Sequence, residues 1–328
     1  MSFLSLNHLP REVLITLGGI LAALIVASVA WRLLRWRNPQ KDYRELHLRV
    51  RTWWVIAGLF GSALVLHRTA SIAFLAFVSF LAFKEYLSLI PTRRADHRVL
   101  FWAYLAIPIQ YVWVYQEWYG LFIIFIPVYM FLLLPTRMVL IGQTEGFLRA
   151  IGTLHWGLMT TGFSLSHAAM LGVISPVADA RVLPAWPSEG AKSNPGAGLL
   201  LLLVLLTQGN DVAQYIWGKS LGRRKVVPTV SPGKTLGGLL GGVATTVVLA
   251  AIIGPQLTFL NWKTSLVAGV IIGLGGFAGD VSISALKRDL GVKDSGSILP
   301  GHGGILDRVD SLTYTAPLFF HLVYYCYC

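Results

Sequence analysis

The sequence predicts an all-α, polytopic membrane protein with about nine to ten transmembrane helices. Three observations carry that expectation. Of 328 residues, 55% are hydrophobic and only 13% charged, whereas soluble domains run at about a quarter charged. The mean hydropathy is +0.64. Apolar runs long enough to cross ~30 Å of hydrocarbon recur from one end of the chain to the other. No polar stretch is long enough for a soluble domain, so any chemistry must be built from helix ends and loops.

The apolar segments fall at 13–31, 53–66, 71–89, 99–115, 119–134, 150–174, 197–217, 236–256, 264–286 and 312–328. The first ends in Ser28-Val29-Ala30, which resembles a signal cleavage site. "WRLLRWR" follows at once, and cleavage would send that basic run across the membrane, so a retained first helix is expected. The second and fifth segments are short, which leaves nine crossings as the alternative to ten. Residues 1–190 read as N-terminal transmembrane helices and 191–328 as a C-terminal transmembrane region holding the chemistry. Cys326 and Cys328 close the chain with neither a metal-ligand spacing nor room for an ordinary disulfide.

Lysines and arginines set the orientation. With the N-terminus outside, 22 of the 27 fall in inner loops and five in outer ones, the asymmetry that the positive-inside rule describes. Much of the net charge of +12 then anchors loops to an anionic leaflet and needs no nucleic-acid partner. Under this orientation the stretches 219–234 and 287–311 both face the cytoplasm.

Three stretches could carry chemistry. In "GDVSISALKRD" (279–289), Asp280, Ser284, Lys287 and Arg288 share one helical face, with Asp280 two turns inside the membrane boundary. An acid at that depth is costly; it marks a functional cavity or a buried ion pair. In "PGHGGILDRVD" (300–310), glycines free a tight loop, and Asp307 and Asp310 stand three apart on one face. Together with Asp280 they make an oxygen-rich set of the kind Mg²⁺ takes. His302 between glycines reads as a ligand, a phosphate contact or a loop residue.

The third stretch is "NDVAQYIWGKSLGRRKVVPTVSPGKT" (210–235). Its "PGKT" is not a P-loop, because Pro228 stands where that pattern needs glycine and no strand precedes it. Five basic residues beside a helix starting near Thr235 would suit a polyphosphate, or form a plain inner-facing loop. Asp211 is a further intramembrane acid. Glycines at 237, 238, 241, 242, 273, 275, 276 and 279 read as helix-packing positions. His155, His167 and His321 read as core residues. Phosphate-binding cations and metal-binding acids on one membrane face point to phosphoryl or nucleotidyl transfer on a lipid.

Ser284, Lys287, Arg288, Lys293, Asp294, Pro300, His302, Gly303, Gly304, Asp307, Arg308 and Asp310, at their spacing here, resemble the signature of the phosphatidate cytidylyltransferases. "DVAQYIWGKSLGRRKVVPTVSPGKT" resembles that family's upstream motif. The resemblance covers roughly the last 130 residues. It implies transfer of the cytidylyl group of CTP to phosphatidate, giving CDP-diacylglycerol and pyrophosphate. It implies a Mg²⁺ centre at Asp280, Asp307 and Asp310, with a second cation as an option. Lys287 and Arg288 would act at the reacting phosphates, and Lys234, Lys293 and Arg308 would bind phosphate. His302, Gly303 and Gly304 would shape the nucleotide loop; Asp211, Ser231, Thr235 and Ser284 would complete the substrate site.

The expected partners are CTP, phosphatidate, membrane lipids and, as an option, a second copy in a homodimer. The expected location is the cytoplasmic membrane of a bacterium, with the site facing inward. Two departures stand out: the family's usual glutamates are replaced by Gly237 and Ile283. Rival readings are a CTP-dependent polyprenol or lipid kinase, and a catalytically impaired lipid-binding or transport paralogue.

Overall fold

The computed structural model describes residues 9–91, 97–142, 144–174, 195–299, 301 and 303–328. All ten apolar segments are helical, and the described residues hold no named strand. In chain order the helices are α1 (Arg11–Arg37), α2 (Arg44–Leu66), α3 (Arg68–Leu89), α4 (His97–Tyr115), α5 (Tyr119–Val139), α6 (residues 147–171), α7 (Pro195–Leu221), α8 (Leu236–Leu257), α9 (Trp262–Asp289), the short turn α10 (Leu306–Val309) and α11 (Leu312–Tyr327). Seven of these, α1, α2, α3, α5, α7, α8 and α9, are long and apolar enough to cross a membrane by themselves. The chain is an integral membrane protein.

Two helices are interrupted by a wide π turn. In α5 the turn spans Phe125–Met130 and contains Pro127, which lacks the N–H that an α-turn requires. In α6 it spans Leu158–Phe163. There the Thr160 hydroxyl donates to the Trp156 carbonyl at 2.8 Å and that of Thr161 to the Gly157 carbonyl at 2.8 Å. These hydroxyls satisfy carbonyls that a widened turn leaves short of a donor.

Burial follows composition. The Leu199–Leu203 run is apolar all round and fully buried, which makes α7 the central helix. It packs against α6, α8, α9 and α11, whereas α1 and α2 lie at the periphery. Helices meet through the glycines expected to serve that purpose: a side chain at Gly242 would run into Gln214, and one at Gly273 into Val243. Gly279 matters most. A Cβ there would lie 2.5 Å from the Asp310 carbonyl, so α9 and the turn before α11 touch backbone to backbone.

Some polar groups in this core tie helices together. The Asn210 amide donates to the Gly273 carbonyl at 3.2 Å, and its oxygen accepts from the Thr246 hydroxyl at 3.1 Å. One side chain thus ties α7, α8 and α9 together one residue before Asp211. His167 is fully buried among the rings of Phe122, Phe163 and Phe320, as expected of a core residue.

Candidate active site

Four elements bring charged residues to one end of the bundle: α7, the loop into α8, the end of α9, and the stretch from Asp289 through α10 to α11. Helix alternation places all of these on the same membrane side as the C-terminal end of α3.

The first cluster centres on Lys234. Its ammonium pairs with Asp280 at 2.6 Å and donates to the Gln214 amide oxygen at 2.9 Å. It also stands over the Phe277 ring, 5.8 Å from the centroid. The upstream and downstream motifs, far apart in sequence, are therefore joined by an ion pair. Asp211 accepts from the Ser311 hydroxyl at 3.1 Å, and Ser284 donates to Asp280 at 3.3 Å. Asp310 accepts the Ser311 N–H at 2.7 Å. Burial, then Asp280, then Asp211 push the Asp310 carboxyl well above its usual value. Three carboxylates thus stand in electrostatic reach of one another.

The second cluster centres on Asp307, which is only 6% exposed. One carboxylate oxygen takes the Lys287 ammonium at 2.6 Å. The other accepts N–H groups of Ser295 at 2.8 Å and Gly304 at 3.0 Å, and the Ser295 hydroxyl at 3.0 Å. Burial pushes the Asp307 carboxyl up; the Lys287 and Gly304 donors outweigh it and hold it below the usual range. Asp307 shares no hydrogen bond with Asp280 or Asp310. The acid that joins those two is Asp211, from the upstream motif.

The other expected residues are placed as follows. Arg288 donates to the Val230 carbonyl at 3.2 Å, clipping the end of α9 to the loop before α8. Arg308 lies near Asp211, and its Nε is buried with no hydrogen-bond partner among the described residues. Lys293 is exposed. The Ser231 carbonyl accepts the Lys234 N–H at 3.1 Å in the turn before α8. Thr235 caps α8, its hydroxyl accepting from the Gly238 N–H at 3.1 Å. Gly303 has φ +78°, and a Cβ on it would lie 2.5 Å from an Asp307 oxygen. Gly304 fits in the same way against Glu85 and Ser295. These two glycines make room for the chain's own carboxylates. His302 lies outside the described residues.

Glu85, on α3, escaped the sequence reading. It is 5% exposed and accepts N–H groups of Ile305 at 2.9 Å and Leu306 at 2.8 Å, with the Ser295 hydroxyl at 3.2 Å. Its signal was faint: one acid beside Lys84 near the end of an apolar run reads as a boundary residue.

As they stand, no three acid, histidine or cysteine side chains among the described residues converge enough to enclose an ion. What suits a divalent cation is the donor chemistry of Asp211, Asp280 and Asp310: hard oxygens whose mutual repulsion a cation would relieve.

Acids and basic side chains gathered at one end of a membrane bundle suit the transferase class. The chain matches the cytidylyltransferase family over residues 47–326 and belongs to that family. It is 48% identical to the uncharacterized protein YnbB of Escherichia coli over 311 residues, 95% of this chain and 98% of that one. It is 40% identical over 142 residues to a phosphatidate cytidylyltransferase of a Synechocystis species, and 38% identical over 141 residues to that of Haemophilus influenzae. Those two matches span 42% and 40% of this chain and about half of each relative's length, 48% and 47%.

Proposed function

We propose that this chain transfers the cytidylyl group of CTP to phosphatidate, releasing pyrophosphate and leaving CDP-diacylglycerol in the membrane. The observation that carries the reading is the Lys234–Asp280 pair. It draws both signature stretches into one site, beside Asp211 and Asp310. The partial likeness to phosphatidate cytidylyltransferases supports the choice of lipid.

The chemistry asks for little beyond placement and charge neutralisation. A phosphatidate phosphate oxygen attacks the α-phosphorus of CTP. The bond from that phosphorus to the β-phosphate oxygen breaks, and pyrophosphate leaves with the electron pair. The nucleophile is already anionic, so no strong general base is needed. Lys234, Arg288 and Arg308 would neutralise the phosphates in this reading, with exposed Lys293 as a further cation. Lys287 serves through Asp307, which fixes the glycine loop. Mg²⁺, when bound by Asp211, Asp280 and Asp310, would supply charge neutralisation for the triphosphate. The site faces the cytoplasm in this reading, where CTP is found, with the N-terminus outside and the chain in the inner membrane of a bacterium.

The test uses full-length protein in detergent with labelled CTP, phosphatidate and Mg²⁺. The expected products are labelled CDP-diacylglycerol and pyrophosphate in equal amounts. Release of CDP with a phosphorylated lipid would replace this reading with a kinase. No turnover on any phospholipid acid would favour a non-catalytic lipid-binding role.

A further inference from the structure

We infer that Glu85 is a positioning residue for the transfer reaction: its buried carboxylate sets Ser295, Ile305 and Leu306, and through them Asp307 and Lys287. The inference rests on the function proposed above.

The connections run in one direct chain. Glu85 accepts from Ile305, Leu306 and the Ser295 hydroxyl. Ser295 in turn gives its N–H to Asp307, and Asp307 holds the Lys287 ammonium. Among the described residues, every hydrogen-bond donor to this nearly dry carboxyl group is an uncharged N–H or O–H. Burying such a group is costly, and an apolar side chain would fill the space more cheaply. What the carboxylate adds is geometry, because it fixes two backbone N–H groups and a hydroxyl at once.

The loop is shaped to receive it. A Cβ at Gly296 would lie 3.0 Å from one Glu85 oxygen, and a Cβ at Gly304 would run into the other. Gly296 and Gly304 flank the segment, and both leave room for the same carboxylate. The end of α3 is itself held fast: the next residue, Tyr86, donates to the Thr153 carbonyl at 2.7 Å, tying α3 to α6. A rigid helix of the N-terminal half thus carries a fixed point for the C-terminal signature loop. Glu85 is placed to act on the reaction only through that loop.

The experiment compares wild type with Glu85→Gln and Glu85→Asp, each full-length in detergent. A glutamine keeps the size but presents an NH₂ where an acceptor is needed. Expected for Glu85→Gln is a fall in kcat on the order of 10²-fold, the scale of a misplaced catalytic group. The KM for phosphatidate should stay within about threefold, since binding of the lipid's apolar part is untouched. Glu85→Asp, which keeps both acceptors, should recover part of the turnover. Amide hydrogen exchange, measured without substrates, should speed up at Ile305 and Leu306 in the glutamine variant.

Wild-type kcat in folded Glu85→Gln would overturn the inference, as would kcat and KM unchanged beside a lower unfolding temperature. If wild type itself transfers no cytidylyl group to phosphatidate, the proposed function has failed first, and this inference falls with it.

Discussion

Lys287 and Asp307 meet across 2.6 Å, and both side chains are almost wholly buried. A pair in that setting is stabilised by mutual attraction and by the donors around it. Removing one member leaves an uncompensated charge, which costs about 3–5 kcal/mol. Asp307→Asn should therefore lower the unfolding temperature in detergent as well as turnover. Adding Lys287→Met should restore most of the stability and none of the activity. The ion-pair partner of Asp307 is Lys287 and not its neighbour Arg308, so Arg308→Gln should leave stability within about 1 kcal/mol. An Asp307→Asn protein with wild-type stability and turnover would remove the pair from both roles.

Gly279 offers a test of backbone contact. Its Cα faces the Asp310 carbonyl, and a methyl group there would lie 2.5 Å from it. Gly279→Ala should push the Asp310–Ser311 turn away from α9, at an overpacking cost of about 1–3 kcal/mol. Turnover should fall by roughly 10-fold or more, because Asp310 moves with the turn. Gly18, on peripheral α1, has nothing within 4 Å of such a methyl, and Gly18→Ala is the matched control. Equal turnover in the two variants would deny the contact any catalytic importance.

The two missing glutamates are not simple vacancies to refill. A Cβ at Gly237 would stand 2.9 Å from the Leu221 carbonyl, and Ile283 is fully buried. Gly237→Glu should strain the α7–α8 contact, and Ile283→Glu should bury a charge one helical turn from Lys287, which is already paired with Asp307. Both are expected to fold less well, without lowering the Mg²⁺ needed for half-maximal turnover. A gain in Mg²⁺ affinity from either would show that the site still accepts the family's usual acids.

Orientation can be checked by labelling. Cys326 and Cys328 are exposed and must first become serine. Arg224→Cys and Lys263→Cys then place single thiols at exposed positions on opposite ends of the bundle. In intact cells a membrane-impermeant thiol reagent should label position 263 alone, and position 224 only after lysis. The reverse pattern would put the site on the side away from CTP.

The fold was legible because lipid enforces it: a backbone crossing hydrocarbon must satisfy its own hydrogen bonds, so each apolar run becomes a helix. The glycine faces were legible for a related reason, since small residues are what let helices approach. The acids were legible as costly intrusions, and Asp211, Asp280 and Asp310 stand in electrostatic reach of one another. The hydrogen-bond partners of Asp307 were not legible. Spacing put it on one face with Asp310, but each carboxylate turns toward its donors: Ser295, Gly304 and Lys287 for one, the Ser311 N–H for the other. No local pattern encodes those choices. Glu85 was hidden by distance, since its partners lie about 220 residues away.

That distance also bears on how the protein is made. α3 enters the bilayer long before the ribosome reaches Ile305, and a nascent chain assembles from its N-terminus. Until the last segment arrives, the Glu85 carboxylate has none of its donors and must stay in the wet interface at the helix end. The signature loop then locks onto a feature that has been waiting since early in synthesis. A nascent chain arrested before residue 295 would leave an unmet acid at a helix end, a mark by which membrane quality control could single it out.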